Sequence, residues 1–230
     1  MRPALFASLL TALFLALAAF AFPQGARPFS QPLSVDLIDV PLADALKVLA
    51  GHLGVSVRPT EPAQPPARVT LQLQGASAEV VLVLLAWESD SDWLLAGGVL
   101  HWGPADSLPA DQLERGRRQR AVRLGRLAAL VDRRLDRPLP FRLKAQGVKL
   151  AELLRFLERE VSVPFLLDGR CAEHLEGVVE GEFEGLSVAE LLHRLLGSRQ
   201  APVALAWTVV GEAVVVSTPE RLGPLRALVR

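Results

Sequence analysis

The chain has 230 residues, half of them apolar, which is enough for one or two folded domains and excludes a disordered tail. Its 25 basic and 25 acidic side chains balance, so the overall charge gives no reason to expect nucleic-acid binding. Cys171 is the only cysteine and cannot form an internal disulfide. We expect it to be a buried or unreactive thiol, with pairing between chains as the alternative.

Residues 1–21 are predicted to be a signal peptide. Arg2 precedes an uncharged segment at residues 4–22, and Ala19-Phe20-Ala21 has the pattern of a cleavage site. The alternative is an uncleaved anchor in the inner membrane, because this segment is nearly the roughly 20 residues needed to cross a bilayer. Under both interpretations we expect the remaining chain in the periplasm or cell envelope, after a short linker at residues 22–30.

A first unit of strands and helices is predicted at residues 31–105. Its opening run, LSVDLI, alternates apolar and polar residues as a half-buried strand does, and the leucines of its first helix share one face. The proline-rich loop at 59–67 interrupts the unit and is expected to be exposed. The other predicted elements are strand 33–38, strands 55–57 and 68–73, a helix capped by Ser77, and a hairpin that turns at Gly97-Gly98 and contains Trp93.

The same order of elements is predicted again at residues 138–219. VPLADALKVLAGHLGVSV (40–57) aligns without a gap with VKLAELLRFLEREVSVPF (148–165). Ser187 and Glu190 form a capping box at the second helix of this copy. The other predicted elements are strand 139–144, a strand within 161–167, strand 177–183, and a hairpin that turns at Gly211-Glu212 and contains Trp207.

The sequence therefore predicts an α+β fold made of two tandem β-α-β-β-α-β-β domains by duplication. Each domain is expected to pack two helices between small sheets. A helix rich in arginine is predicted to join the two domains at residues 106–137, broken loosely by Gly116 and Gly125. A shorter helix is predicted at the C-terminus, at residues 220–230.

The predicted order resembles the short N-terminal domain that bacterial secretins share with TonB-dependent signalling receptors. The resemblance rests on VDLIDVPLADALKVLAGHLGVSV and RVTLQLQGASAEVVLVLLAWESDSDWLLAGGVLHWGP in the first copy. The second copy fits in pattern but has Lys149 opposite Pro41 and Ser162 opposite Gly54. The resemblance implies two helices between a two-stranded and a three-stranded sheet. It also implies a periplasmic module that binds proteins.

On this resemblance we expect a non-enzymatic adaptor of the cell envelope, serving a secretion, secretin or TonB-type system at the outer membrane. No pore or barrel segment follows the second copy, so we expect the module without its pore. The expected partner is a secretin, a TonB-system protein or a secretion component, and the chain could also assemble with copies of itself. We expect strand addition or docking on a helix face, with the first strands and the hairpin strands as candidate sheet edges.

The arginine-rich helix has two interpretations. It could be a linker whose arginine stems cover apolar surface, or a basic surface for an acidic partner, peptidoglycan or anionic lipid. Trp93 and Trp207 could likewise anchor their hairpins in the core or present an aromatic face to a partner. The candidate interaction surface consists of Trp93, Trp207, Arg117, Arg118 and Arg120.

No pattern of residues predicts catalysis, a cofactor or a metal. Cys171 and His174 supply at most half a zinc site, and no orienting group accompanies them as a nucleophile and base would need. His52 and His193 are predicted on the solvent sides of helices. The carboxylates of Asp90 and Asp92, and of Glu158 and Glu160, are predicted to be solvated or to form turns.

Overall fold

The computed structural model describes residue 29 and residues 31–60, 68–197 and 204–229. The predicted signal peptide or anchor at residues 4–22 and most of the proline-rich loop lie outside the described residues. Within those ranges, no helix combines the length and the apolar character that crossing a membrane would require.

The first half of the chain folds into two small sheets and two helices. Strands β1 and β3 form an antiparallel pair, while β2, β5 and β4 form a three-stranded sheet in that order. The elements are β1 (Pro32–Pro41), α1 (Leu42–Leu53), β2 (Ser56–Pro59), β3 (Arg68–Ser77), α2 (Ala78–Glu88), β4 (Asp92–Ala96) and β5 (Val99–Gly103).

The second half has its own pair of sheets. Strands β6 and β8 form an antiparallel pair, and β7, β10 and β9 form a three-stranded sheet in that order. The elements are a 3₁₀ turn (Ala105–Ser107), α3 (Ala110–Leu135), β6 (Leu143–Lys149), α4 (Leu150–Val161), β7 (Phe165–Leu167), a 3₁₀ turn (Gly169–Cys171), α5 (Ala172–Leu175), β8 (Val178–Phe183), α6 (Val188–Leu196), β9 (Ala206–Val210), β10 (Ala213–Ser217) and α7 (Pro219–Val229).

This mixture of helices with small, mostly antiparallel sheets confirms the α+β class. Both predicted hairpins turn where expected, with positive φ at Gly97, Gly98 and Gly211. Ser187 and Glu190 form the predicted capping box. Ser77 stands at the start of α2, but its side chain makes no capping hydrogen bond there.

Two predictions about individual elements are wrong, a break in one helix and the position of one strand. The arginine-rich helix α3 is continuous over 26 residues, because two isolated glycines weaken a helix without ending it. The first strand of the second half is Leu143–Lys149 and not 139–144. Pro138 and Pro140 cannot donate backbone hydrogen bonds, so the chain there forms only an isolated bridge from Pro138 to Ser187.

Positions 108 residues apart adopt the same unusual backbone conformation. Asp39 and Gly147 both have positive φ and mark bulges in β1 and β6. Gly54 and Ser162 both have positive φ and end helices α1 and α4. Glycine tolerates this region without cost, whereas a serine side chain in it is strained.

Replacing Ser162 by glycine is therefore expected to raise the free energy of unfolding by about 0.5–1 kcal/mol. Ser162 has φ 51° and ψ 44°, and relief of its strain exceeds the entropy that glycine loses on folding. Urea titration of Ser162→Gly measures the gain. The matched change Gly54→Ser, where a Cβ has open space, should lower stability by a similar amount. A loss of stability in Ser162→Gly would refute this account of the helix end.

Helix α2 is buried on every side. Each of its residues from Ala78 to Trp87 is buried, because the chain packs on both of its faces. Strands β1 and β3 and helix α1 cover one face, and the second half covers the other. The covering residues of the second half are Leu166, Val210, Ala213, Val215, Leu222 and Leu225. The two halves thus share this core, and the second half has another core of its own around α4 and α6.

Candidate functional site

Two of the five predicted surface residues are buried, so the surface interpretation is wrong for them. Trp93 and Arg120 are each 3% exposed. The Arg120 guanidinium lies 4.3 Å from the centre of the Trp93 ring and donates to the Trp93 carbonyl at 2.8 Å. It also donates to Asp92 Oδ1 at 2.8 Å. Burial lowers the pKa of Arg120, against the opposing effect of Asp92.

The other three residues keep some exposure but are not free. Arg117 donates to Asp92 Oδ2 at 2.6 Å, and exposed Arg118 pairs with Glu114 one turn away on the same helix. Trp207 is half-buried, with the ring of exposed His193 5.3 Å from its own. Arg117 and Arg120 therefore have a structural role, because their contacts with Asp92 and Trp93 fasten α3 to β4.

Asp92 was predicted to be solvated or to form a turn, but it is 1% exposed and begins strand β4, so that prediction is also wrong. Its carboxylate bridges Arg117 and Arg120, residues more than 20 positions away that sequence spacing could not pair with it. Glu79 is a second buried carboxylate, and it pairs with Arg123 through both oxygens. Hydrogen bonding to Glu79 raises the pKa of Arg123.

A third ionic cluster joins the two halves. Glu88 at the end of α2 lies 3.0 Å from Arg221 Nη2 and 3.3 Å from Arg170 Nη2. Arg221 Nε also donates to Asp168 Oδ2 at 2.7 Å, and the Ser217 hydroxyl donates to the same oxygen at 2.6 Å. The cluster therefore pins α7 and the second half onto the first.

Burial raises the pKa of Glu88, an effect that Arg170 and Arg221 oppose. The folded state then binds this proton more tightly than the unfolded state, so ionising Glu88 costs stability. We expect Glu88→Gln to gain stability relative to the parent as pH rises through the range just above the ordinary glutamate pKa. Urea titrations of both proteins at several pH values measure this difference. A difference that stays constant across the range would contradict it.

The outer edges of three strands are hydrogen-bonded by side chains. The Trp93 carbonyl of β4 accepts from Arg120, and the Trp207 carbonyl of β9 accepts from Arg226 at 3.2 Å. In β7, the amide of Phe165 donates to Glu158 and its carbonyl accepts from Arg155. The prediction of free edges on the hairpin strands is therefore wrong at these positions. Glu158, predicted to be solvated or to form a turn, is instead half-buried within helix α4.

Strands β1 and β6 are also edges, as are β2, β3 and β8, because each pairs with only one described strand. Lysines at positions 144 and 149 and the Gly147 bulge shield β6, as is common at exposed sheet edges. In β1 the stretch from Ser34 to Ile38 carries Asp36 but no lysine, proline or glycine, and it lies between bulges at Ser34 and Asp39. Ile38 is 63% exposed, so this stretch offers both backbone groups and an apolar side chain.

An open cleft of about 1050 Å³ adjoins this part of β1 and lies between the β1–β3 sheet and helix α4. The polar face of the β1–β3 sheet forms one wall, with Ser34, Asp36 and Gln74. Helix α4 forms the other wall, with Glu152 and Arg159. The side chains of Gln74, Glu152 and Arg159 make no hydrogen bond or ion pair with any described residue, so they are available to a ligand.

The remaining candidate residues do not come together as a catalytic or metal-binding site in the described part of the chain. His52 is exposed as predicted, and Cys171 is buried as expected, with its sulfur 3.9 Å from the Ser217 hydroxyl. Over the described ranges, no group of three or more His, Cys, Asp or Glu side chains is placed to hold a metal ion.

The comparisons with known proteins add no family. No protein-family model matches the chain, and no curated protein matches it.

Proposed function

We propose that this chain is a non-enzymatic, protein-binding module of the bacterial cell envelope. It is built from two copies of one domain and binds an extended segment of its partner by strand addition to β1. The observation that carries the proposal is the unpaired side of β1 at Ser34–Ile38, beside the open cleft between the halves. The envelope location rests on the export pattern at residues 1–21.

Strand addition suits the chemistry of this edge. The incoming backbone would hydrogen-bond to β1, which supplies affinity without a particular partner sequence. Alternate partner side chains would then meet the cleft and the exposed surface, because side chains of a strand point to opposite faces. Glu152 and Arg159 on the far wall supply charges of both signs for selecting among partners.

The comparison of β1 with other edges supports this choice. Arginines hydrogen-bond the outer carbonyls of β4 and β9, and lysines with a bulge protect β6. Basic side chains that oppose strand pairing are therefore present on β4, β6 and β9 and missing from Ser34–Ile38.

The test compares the amount of natural partner bound by the parent chain with the amount bound by the Ile38→Lys variant. A lysine in the middle of a sheet edge opposes strand addition, so we expect at least a tenfold loss of partner recovered by in-cell crosslinking and capture. Because Ile38 is largely exposed, the change should shift the free energy of unfolding by less than about 0.5 kcal/mol.

Val178→Lys is the matched control, because Val178 is 60% exposed on β8 of the other two-stranded sheet. It should recover the partner as well as the parent chain does. Equal recovery by Ile38→Lys and the parent would refute binding at β1. Equal losses in both variants would show an effect of added charge and not of this edge.

A further inference from the structure

The arginines of α3 divide between two sides of the helix. The inner side carries the buried residues Leu113, Leu124 and Val131, together with the arginines that pair with Asp92 and Glu79. Residues on the opposite side recur every three or four positions, which aligns them along the helix. This outer side consists of Arg115, Arg118, Val122, Arg126, Ala129 and Arg133, all of them exposed.

Arg126 and Arg133 have unoccupied guanidinium groups. Neither side chain makes a hydrogen bond or an ion pair within the described part of the chain, whereas Arg118 pairs with Glu114. Among the acidic residues of this region, Glu114 pairs with Arg118, Asp111 lies at the N-terminal end of the line, and Asp132 and Asp136 lie near its C-terminal end. The middle of the outer side is therefore a positively charged surface on a chain whose formal net charge is zero.

Apolar side chains are exposed among these arginines. Val122 is 57% exposed and Leu130 is 55% exposed, two of the most exposed large apolar residues of the described chain. Exposed apolar groups beside cations are typical of helices that lie along the boundary between headgroups and acyl chains. A site for a purely acidic partner would not need them.

We propose that the outer side of α3 rests on a membrane surface that contains anionic phospholipid, with lipid phosphates bound by Arg126 and Arg133. The line from Arg115 to Arg133 is about 27 Å long at 1.5 Å per residue, so it suits a flat, extended partner. Each guanidinium can hold a phosphate through two parallel hydrogen bonds. Val122 and Leu130 then enter the headgroup layer. This surface is separate from the β1 edge, so the two can be occupied together.

The experiment uses the full chain with a polarity-sensitive fluorophore on a cysteine introduced as Val122→Cys. Cys171 is buried and should not react in the folded protein. Vesicles of phosphatidylglycerol with phosphatidylcholine are expected to shift the emission to the blue, and vesicles of phosphatidylcholine alone are not. The local probe reports on α3 even if residues 4–22 also bind the vesicle. High salt should reverse the shift.

Two matched comparisons decide the outcome. In the same labelled chain, Arg126→Gln with Arg133→Gln should raise the lipid concentration for a half-maximal shift about 30-fold, since each arginine near an anionic surface strengthens binding. The control variant, Lys47→Gln with Arg58→Gln, removes the same charge from exposed positions elsewhere. It should leave the lipid concentration for a half-maximal shift unchanged. A label at Val178→Cys should not respond.

Four results would overturn the proposal. One is the absence of a shift at position 122 with anionic vesicles, and another is an equal shift at positions 122 and 178. The third is an equal loss in the two double variants. If soluble polyglutamate produced the same shift at equal charge concentration, the surface would be assigned to an acidic protein and the lipid proposal would fail.

Discussion

Asp92→Ala is expected to lower the free energy of unfolding by about 3–5 kcal/mol, because it leaves the buried Arg120 guanidinium without its counter-charge. Asp92 is 1% exposed and Arg120 3% exposed, so water cannot replace the lost partner. Arg117 is more exposed and can turn to solvent, whereas Arg120 is held under the Trp93 ring. Urea titration followed by tryptophan fluorescence measures the loss.

Glu114→Ala is the control for this prediction. It also removes the carboxylate partner of an α3 arginine, but Glu114 and Arg118 are both exposed, and exposed pairs contribute about 0–1 kcal/mol. A loss in Asp92→Ala no larger than that in Glu114→Ala would show that the Asp92 cluster does not fasten α3 to the first half. A double-mutant cycle with Arg120→Met isolates the coupling between the two charges.

Gly211→Ala is expected to destabilise the protein by about 2–5 kcal/mol and to loosen the packing between the halves. A Cβ at this hairpin turn would lie 2.5 Å from Val80 Cγ2 and 2.9 Å from Leu124 Cδ2, both of them buried. Overpacking of this kind costs about 1–3 kcal/mol. The φ of 58° adds about 1–2 kcal/mol for a residue with a side chain.

The hairpin of the first half offers a matched control in Gly97→Ala. Gly97 has nearly the same φ of 57°, but a Cβ there would meet no atom within 4 Å. Its cost should be the conformational cost alone, about 1–2 kcal/mol. The difference between the two variants measures how tightly the second hairpin is packed against α2 and α3. Equal costs would contradict the shared core.

Local patterns in the sequence predicted most of the elements. Period-two runs marked β1 and β3, the spacing of leucines marked α1 and α4, and paired turn residues located both hairpins. These signals are local because each reflects the geometry of a single element. The strand β6 was misplaced where Pro140 interrupts an alternation that otherwise looks like a strand.

Contacts between distant segments were not predictable in the same way. Asp92 and Arg120 are 28 residues apart, and only the packing of α3 on β4 brings them together. One missed feature did have a signal. Helix α2 reads AEVVLVLLAWE, apolar all round, and such a helix must be buried on all sides. That pattern predicted burial on every side, and residues of the second half complete the cover.

The shared core also bears on how the chain can work. With α2 enclosed by both halves and the Glu88 cluster fastening α7, the cleft between β1 and α4 has walls from two rigidly connected halves. A partner strand would then meet a preformed site and lose less of its binding free energy to ordering the protein.

Photocrosslinking from β1 tests the proposed function most directly. A photoreactive amino acid is placed at Ser34, Asp36 or Ile38, and for comparison at Val178 or Glu180 on β8, and crosslinked peptides are mapped by mass spectrometry in cells that make the full chain. We predict that the β1 positions capture one extended segment of one envelope protein, at successive positions of that segment, and that the β8 positions do not. Capture of the same partner equally from β8, or of scattered unrelated segments from β1, would contradict strand addition at β1.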